Sequence, residues 1–199
     1  MPSPQQRMPR EQRRDQLVGV ARAVFANRGY RTTSMDTIAE EAGVSKPVLY
    51  QHFASKQDLY LALIDHSAAH LAGQVAQALN STDDPRERIR ATYRAYFDFA
   101  ISHREEFVIL FNSDVYEPEA QQRVRTMREG TVARIVSALQ SFTDLDDADA
   151  DLLCRTLIGT AEVVIKQIEA THELDIDATV DLLTQMSWGG LSSFATHTR

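Results

Sequence analysis

Lys46, Tyr50, Gln51 and His52 fall within seven residues of one another, with Ser45 and Pro47 beside them. An ammonium, a phenol, an amide and an imidazole on one short helix can hydrogen-bond to phosphate oxygens and to base edges. Upstream, Thr33, Ser34 and Thr37 carry hydroxyls at the start of a second short helical stretch, whose free amides suit a phosphate oxygen. Lys56 adds a positive charge just downstream. This chemistry is recognition of a polyanion rather than bond-making. The sequence contains no G-x-S-x-G, phosphate loop or Cys–His pattern, and an enzyme is not expected.

Other reactive side chains point to less. His66 and His70 are four residues apart on one helical face, but two ligands do not make a site, and neither a metal nor a cofactor is expected. The acidic stretch Asp144–Asp151 lacks the glycine and terminal glutamate of a calcium loop and reads as a solvated helix start. Cys154, beside Leu152 and Leu153, reads as a buried, inert thiol. One cysteine excludes an intrachain disulfide framework and fits a reduced, cytoplasmic setting. No apolar run is long enough for a bilayer and no signal peptide is visible, so no membrane partner is expected.

A formal charge of −7 runs against binding a polyanion, but it is unevenly spread. Residues 1–60 hold nine basic and six acidic groups, a balance of +3, and the remainder stands at −10. Phosphate contacts are local and screened over about 8–10 Å, so a basic head on an acidic body can still engage DNA.

The elements that must position these groups follow from periodicity and caps. Residues 1–9, with three prolines, read as a mobile arm. Leu17, Ala21, Val24 and Phe25 recur at helical spacing from Arg10 to Arg28, where Gly29 ends the run. Ser34 caps a helix over Met35–Ala42, stopped by Gly43. Ser45 caps a third helix to about Phe53, with Pro47 in its first turn. Ser55 and Asp58 form a capping-box pair for a fourth helix, striped by Tyr60, Ile64, Ala68, Leu71, Val75 and Leu79. Asp84, Pro85 and Glu87 start a fifth, with Ile89, Tyr93, Tyr96, Phe97 and Ile101 inward. Helices are also predicted at Glu105–Phe111, from Pro118 past Leu139, across Leu153–Ile168, and at about Asp177–Phe194. The chain is therefore all-α: a three-helix helix-turn-helix head at 10–54 fused to a helical bundle at 55–199, about nine helices in total.

The run Leu17–Leu61 resembles the N-terminal domain of TetR-family transcriptional regulators. The matching residues are Ala21-x-x-Val-Phe-Ala-x-x-Gly-Tyr30, then Thr33-Ser-Met-x-x-Ile-Ala-x-x-Ala-Gly-Val-Ser-Lys-Pro-x-Leu-Tyr-x-His-Phe53, then Ser55-Lys56-x-x-Leu59-Tyr60. Pro47 stands where glycine is frequent. The resemblance implies a homodimer on a near-palindromic double-stranded operator, with a C-terminal domain that receives a small-molecule effector. It also implies that Thr33, Ser34, Lys46, Tyr50, His52 and Lys56 approach DNA. Together with the residue reading, the expected DNA face is Thr33, Ser34, Thr37, Ser45, Lys46, Pro47, Tyr50, Gln51, His52 and Lys56. The expected function is a ligand-responsive repressor. The rival is an all-α small-molecule-binding or scaffolding protein without sequence-specific DNA binding.

The body gives less. Six of the 15 aromatic residues lie between Tyr93 and Phe111 and cannot share one helical face. They form either a packed core or the lining of a cavity for a hydrophobic or aromatic effector. On the cavity reading Tyr93, Phe97, His103, Phe107, Phe111, Met127 and Glu162 contact the ligand. Stripes of Leu153, Leu157, Ala161 and Val164, and of Leu183, Met186 and Gly190, either bury within one subunit or form a dimer seam.

Overall fold

The structure, a computed structural model, describes residues 8–111, 117–171 and 175–195. Residues 1–7 of the arm expected at 1–9 lie outside the described residues. Nine helices occur among the described residues: α1 (Arg10–Arg28), α2 (Met35–Glu41), α3 (Lys46–His52), α4 (Lys56–Leu79), α5 (Pro85–Ser102), α6 (Arg104–Phe111), α7 (Pro118–Gln140), α8 (Asp147–Thr171) and α9 (Ile176–Leu191). A 3₁₀ turn at Ser192–Phe194 follows α9. Extended pairing among the described residues is limited to one antiparallel bridge, Thr143 to Ala195.

The chain divides into two compact units. One comprises the described residues up to Ser67 together with Glu105–Val124; the other comprises Ala68–Arg104 and the described residues from Arg125 onward. This differs from a boundary after residue 54, because α6 and the start of α7 return to the head's unit. There the Arg22 guanidinium reaches Glu105 at 3.2 Å and Glu106 at 3.0 Å. Tyr60 Oη donates to the Ile109 carbonyl at 3.4 Å. Arg123 pairs with Asp65, and with Glu119 at 3.0 Å.

Within the first unit, α1 buries the stripe Leu17, Ala21, Val24 and Phe25 that its periodicity predicts, and Ile38 and Leu49 supply core from α2 and α3. Phe25, Tyr30 and Tyr60 form an aromatic cluster, with Phe25–Tyr60 edge-to-face at 5.2 Å and Tyr30–Tyr60 at 4.8 Å. The turn between α2 and α3 is built from the backbone. Gly43, at φ +63°, occupies the left-handed region. Its N–H donates to the Glu40 carbonyl at 3.0 Å, and the Val44 N–H to the Ala39 carbonyl, also at 3.0 Å. This is a Schellman closure, which satisfies the last carbonyls of α2 and turns the chain sharply into α3.

In the second unit, Asp84 accepts from the Arg86 and Glu87 N–H groups at 2.8 and 3.2 Å and starts α5, as its sequence predicts. Asp175 caps α9 in the same way. Helix α5 packs against both α9 and α8. That explains one correction. Ile101 was expected inward but is 47% exposed, whereas Phe99 and Ala100 are buried, because α5 is covered on two sides and does not follow a single stripe.

Gly43 has open space around its missing Cβ, so an added methyl meets backbone strain rather than a clash. Gly43→Ala should cost about 1 kcal/mol. That is a fall of roughly 2–4 °C in thermal midpoint for a chain of this size, read by calorimetry.

Candidate nucleic-acid interface

Helix α3 exposes most of the predicted polar face. Ser45, Lys46, Pro47, Tyr50 and Gln51 are exposed, and His52 is half-buried. Leu49, on the opposite side, is fully buried. One side of a two-turn helix is therefore anchored in the core while the other is free to meet a groove. Ser45 occupies the cap position of α3 but makes no side-chain capping bond. Its carbonyl accepts from Val48 at 2.9 Å, and its hydroxyl stands at the surface.

At the start of α2, exposed Ser34 accepts from the Thr37 N–H at 3.1 Å, and the two hydroxyls are 2.9 Å apart. Thr33 is a correction to the expected DNA face. It is 2% exposed, and its hydroxyl donates to the Gly29 carbonyl at 2.8 Å. Its part is to tie the α1–α2 connection. Lys56 is similarly engaged: Nζ donates to the Tyr30 and Thr33 carbonyls at 2.9 and 3.0 Å and lies 4.3 Å from the Tyr30 ring centroid. Two of its three N–H donors are thus spent on the fold, although its charge remains beside the cleft.

A surface cleft of about 460 Å³ gathers Arg31, Ser34, Asp36, Lys46, Tyr50 and Lys56. Sequence reasoning passed over Arg31 and Asp36. Asp36 lies 2.7 Å from Lys46 Nζ, and this hydrogen bond is the main cause holding the lysine above its ordinary pKa. Both partners are exposed, so the pair adds little stability. Its importance is competition, because Asp36 takes up one of the three N–H donors of Lys46 and offsets the charge that would attract a phosphate. His52 is displaced the other way, below its ordinary pKa, by burial first and then by Arg10, Arg14 and Arg13.

The body residues are dispersed. Tyr93 is buried, with its hydroxyl 2.9 Å from Ser187 Oγ. Phe97 is fully buried and stacks on Tyr93 at 6.4 Å. His103 caps the end of α5, with its ring 4.4 Å from His70 and 5.8 Å from Phe99. Met127 is half-buried, and Glu162 faces Arg128 at 3.5 Å. These belong to the second unit, whereas Phe107 and Phe111, in contact at 4.5 Å, belong to the first.

Among the seam candidates, Ala161 and Leu183 are buried within the chain's own core, one of the two alternatives their stripes left open. Leu153, Leu157 and Val164 are half-buried, while Met186 and Gly190 are exposed. The large apolar side chains that α8 and α9 leave open are Leu152, Val163, Leu182 and Met186. Cys154 is buried, and burial pushes its thiol up to about 12. No described helix is long and apolar enough to cross a membrane.

A buried-backed recognition helix behind a Schellman turn, with capped amides of a second helix beside it, defines a helix-turn-helix DNA-binding protein. Residues 17–63 match the family of bacterial regulatory proteins of the tetR type, and residues 85–190 match the tetracyclin repressor-like C-terminal domain. The chain belongs to the TetR family: it is a ligand-responsive transcriptional regulator that acts through helix-turn-helix DNA binding, and the family is one of DNA-binding proteins rather than enzymes. It is 37% identical over 188 residues to the HTH-type transcriptional activator FasR of Mycolicibacterium smegmatis, covering 94% of this chain and 86% of that protein. It is 29% identical over 161 residues to the HTH-type transcriptional repressor KstR2 of Mycobacterium tuberculosis, covering 77% and 80%. A TetR-like regulator from Rhodococcus sp. RHA1 superposes with a TM-score of 0.79 at 31% identity, over 94% of this chain and 99% of that one. The family match sets aside the rival reading of a helical protein that does not bind DNA.

Asp36→Asn removes the carboxylate that holds Lys46. Duplex affinity should rise and the salt dependence steepen by about one unit of slope, read by fluorescence anisotropy across a salt series.

Proposed function

We propose that the protein works as a homodimer on a near-palindromic operator, most simply as a repressor released by a small hydrophobic or aromatic effector. The observation that carries this reading is the exposed Lys46–Tyr50–Gln51 face of α3 beside the α2 cleft. In this reading α3 enters the major groove. Gln51 and Lys46 meet base edges or phosphates, and Tyr50 sets its hydroxyl on the backbone. Ser34, Thr37 and the α2 amides take a phosphate oxygen.

One such head is a small clamp, and two placed roughly 34–36 Å apart read successive turns of one face of the duplex. The exposed apolar residues Leu152 and Val163 on α8, and Leu182 and Met186 on α9, support a seam with a second copy. Effector binding is assigned to the second unit, where Tyr93 and Phe97 form a buried aromatic pair, Met127 is half-buried and the Arg128–Glu162 pair supplies charge. Helix α4 runs unbroken from Lys56 to Leu79 and contributes to both units. It is therefore the proposed route by which a ligand changes operator affinity. A coupling of about 1–3 kcal/mol corresponds to a 5–150-fold effect.

A second reading, activation, is favoured by the 37% identical relative, which is named an activator, whereas the 29% identical one is named a repressor. In vitro transcription from a promoter carrying the selected operator separates the two by the sign of the response.

Tyr50→Ala should weaken operator binding by about 1–3 kcal/mol and leave the sedimentation coefficient unchanged. Unchanged affinity in that variant removes α3 as the reading helix. Conversely, Leu182→Glu with Met186→Glu should yield monomers in analytical ultracentrifugation and abolish tight operator binding while the helical circular dichroism persists.

A further inference from the structure

The first two turns of α1 carry Arg10, Arg13 and Arg14. At about 100° per residue, these three fall on the same side of the helix as Leu17 and Ala21, within an arc of roughly 100°. Leu17 and Ala21 are fully buried in the head, so the arginines continue its inward stripe beyond the end of the core. Arg14 lies 4.7 Å from the centroid of Phe53, at the end of α3. Arg10 and Arg13 line a groove of about 870 Å³ whose other wall includes Ser45, Gln51 and His52 of the reading segment.

The row carries net positive charge toward that groove. The Arg13 guanidinium donates to the neutral Gln16 amide at 2.7 Å, and none of the three forms a described ion pair. Arg22, Arg28, Arg94, Arg123 and Arg155, by contrast, are each held by a carboxylate, while Arg88 donates to the Thr82 carbonyl and to Ser141. Of the acids on the same turns, Glu11 lies about 60° and Asp15 about 100° round the helix from Arg14, and neither forms a described ion pair with the three arginines. The lowered pKa of His52, attributed in part to all three arginines, is a second sign that their potential converges there.

We propose that Arg10, Arg13 and Arg14 form a second DNA contact, which grips the phosphate backbone beside the major groove that α3 enters. This rests on the head binding duplex DNA. It adds a sequence-independent clamp to the reading helix and extends the footprint outward from each half-site. Arg14 is partly committed to Phe53, so Arg10 and Arg13 supply most of the phosphate charge. Because guanidiniums on a helix end meet phosphates rather than base edges here, the clamp raises affinity for every duplex by the same factor.

The test is a full-length Arg10→Gln/Arg13→Gln double variant, with Arg10→Lys/Arg13→Lys as its charge-retaining partner and Lys46→Ala as a control on the reading helix. Binding to the selected operator and to a scrambled duplex is measured across a salt series, with circular dichroism to establish folding. The expected result is a salt slope smaller by about two units and, near 0.1 M salt, an affinity loss on the order of tenfold or more. The loss should be equal for both duplexes, the lysine variant should keep the parental slope, and the outer edges of the hydroxyl-radical footprint should recede. Unchanged slope and affinity in the glutamine variant, with Lys46→Ala still impaired, overturns the clamp and leaves the reading helix standing. Loss confined to the operator, with the scrambled duplex unaffected, also overturns it, because the arginines then read bases. If Lys46→Ala binds both duplexes as the parent does, the assignment of α3 itself fails.

Discussion

The left-handed backbone at Gly43 sets the geometry on which DNA recognition depends. A residue with a side chain resists φ +63°, and without that conformation the paired bonds from Gly43 to Glu40 and from Val44 to Ala39 cannot form. Those bonds end α2 and aim α3 within three residues. Leu49 then anchors one side of α3 in the core, which leaves Lys46, Tyr50 and Gln51 on the other. Seven helical residues cannot form a stable helix alone, so the reading surface exists only because the turn and the buried leucine hold it.

The polar residues around that surface divide by what they already hold. Thr33 and Lys56 spend their donors on backbone carbonyls of the α1–α2 connection and serve as braces. Lys46 is held by Asp36, a surface pair weak enough to exchange for a phosphate. Tyr50 and Gln51 stand exposed at the far end of the helix. The head therefore presents a graded set, from fixed supports to exchangeable charges. The net charge of −7 conceals this, because the basic surplus sits where phosphate must bind and the acidic surplus lies elsewhere in the chain.

Much of this architecture is legible in the sequence because its signals are local. Asp84 ahead of Pro85, Ser34 ahead of Thr37, and Gly43 after α2 each act through backbone groups a few residues away, and each appears where its chemistry predicts. What the sequence could not show depends on long-range packing. Ile101 sits at helical spacing from Phe97 yet faces out, because α5 is covered by both α8 and α9. The stripes on α8 and α9 are read one residue away from Leu152 and Leu182, since periodicity alone does not say which apolar residues the chain's own core consumes. Lys56 reads as a free charge until the Tyr30 and Thr33 carbonyls are seen around it. The return of α6 to the head, tied by Arg22 to Glu105 and Glu106, joins residues more than 80 positions apart.

Methylation interference on the selected operator tests most directly whether α3 occupies a major groove. Guanine N7 lies on the major-groove edge and adenine N3 on the minor-groove edge. Blocking N7 within two segments about one helical turn apart should prevent capture, while N3 methylation there should be tolerated. Interference confined to N3, or none at either position, would contradict the placement of α3.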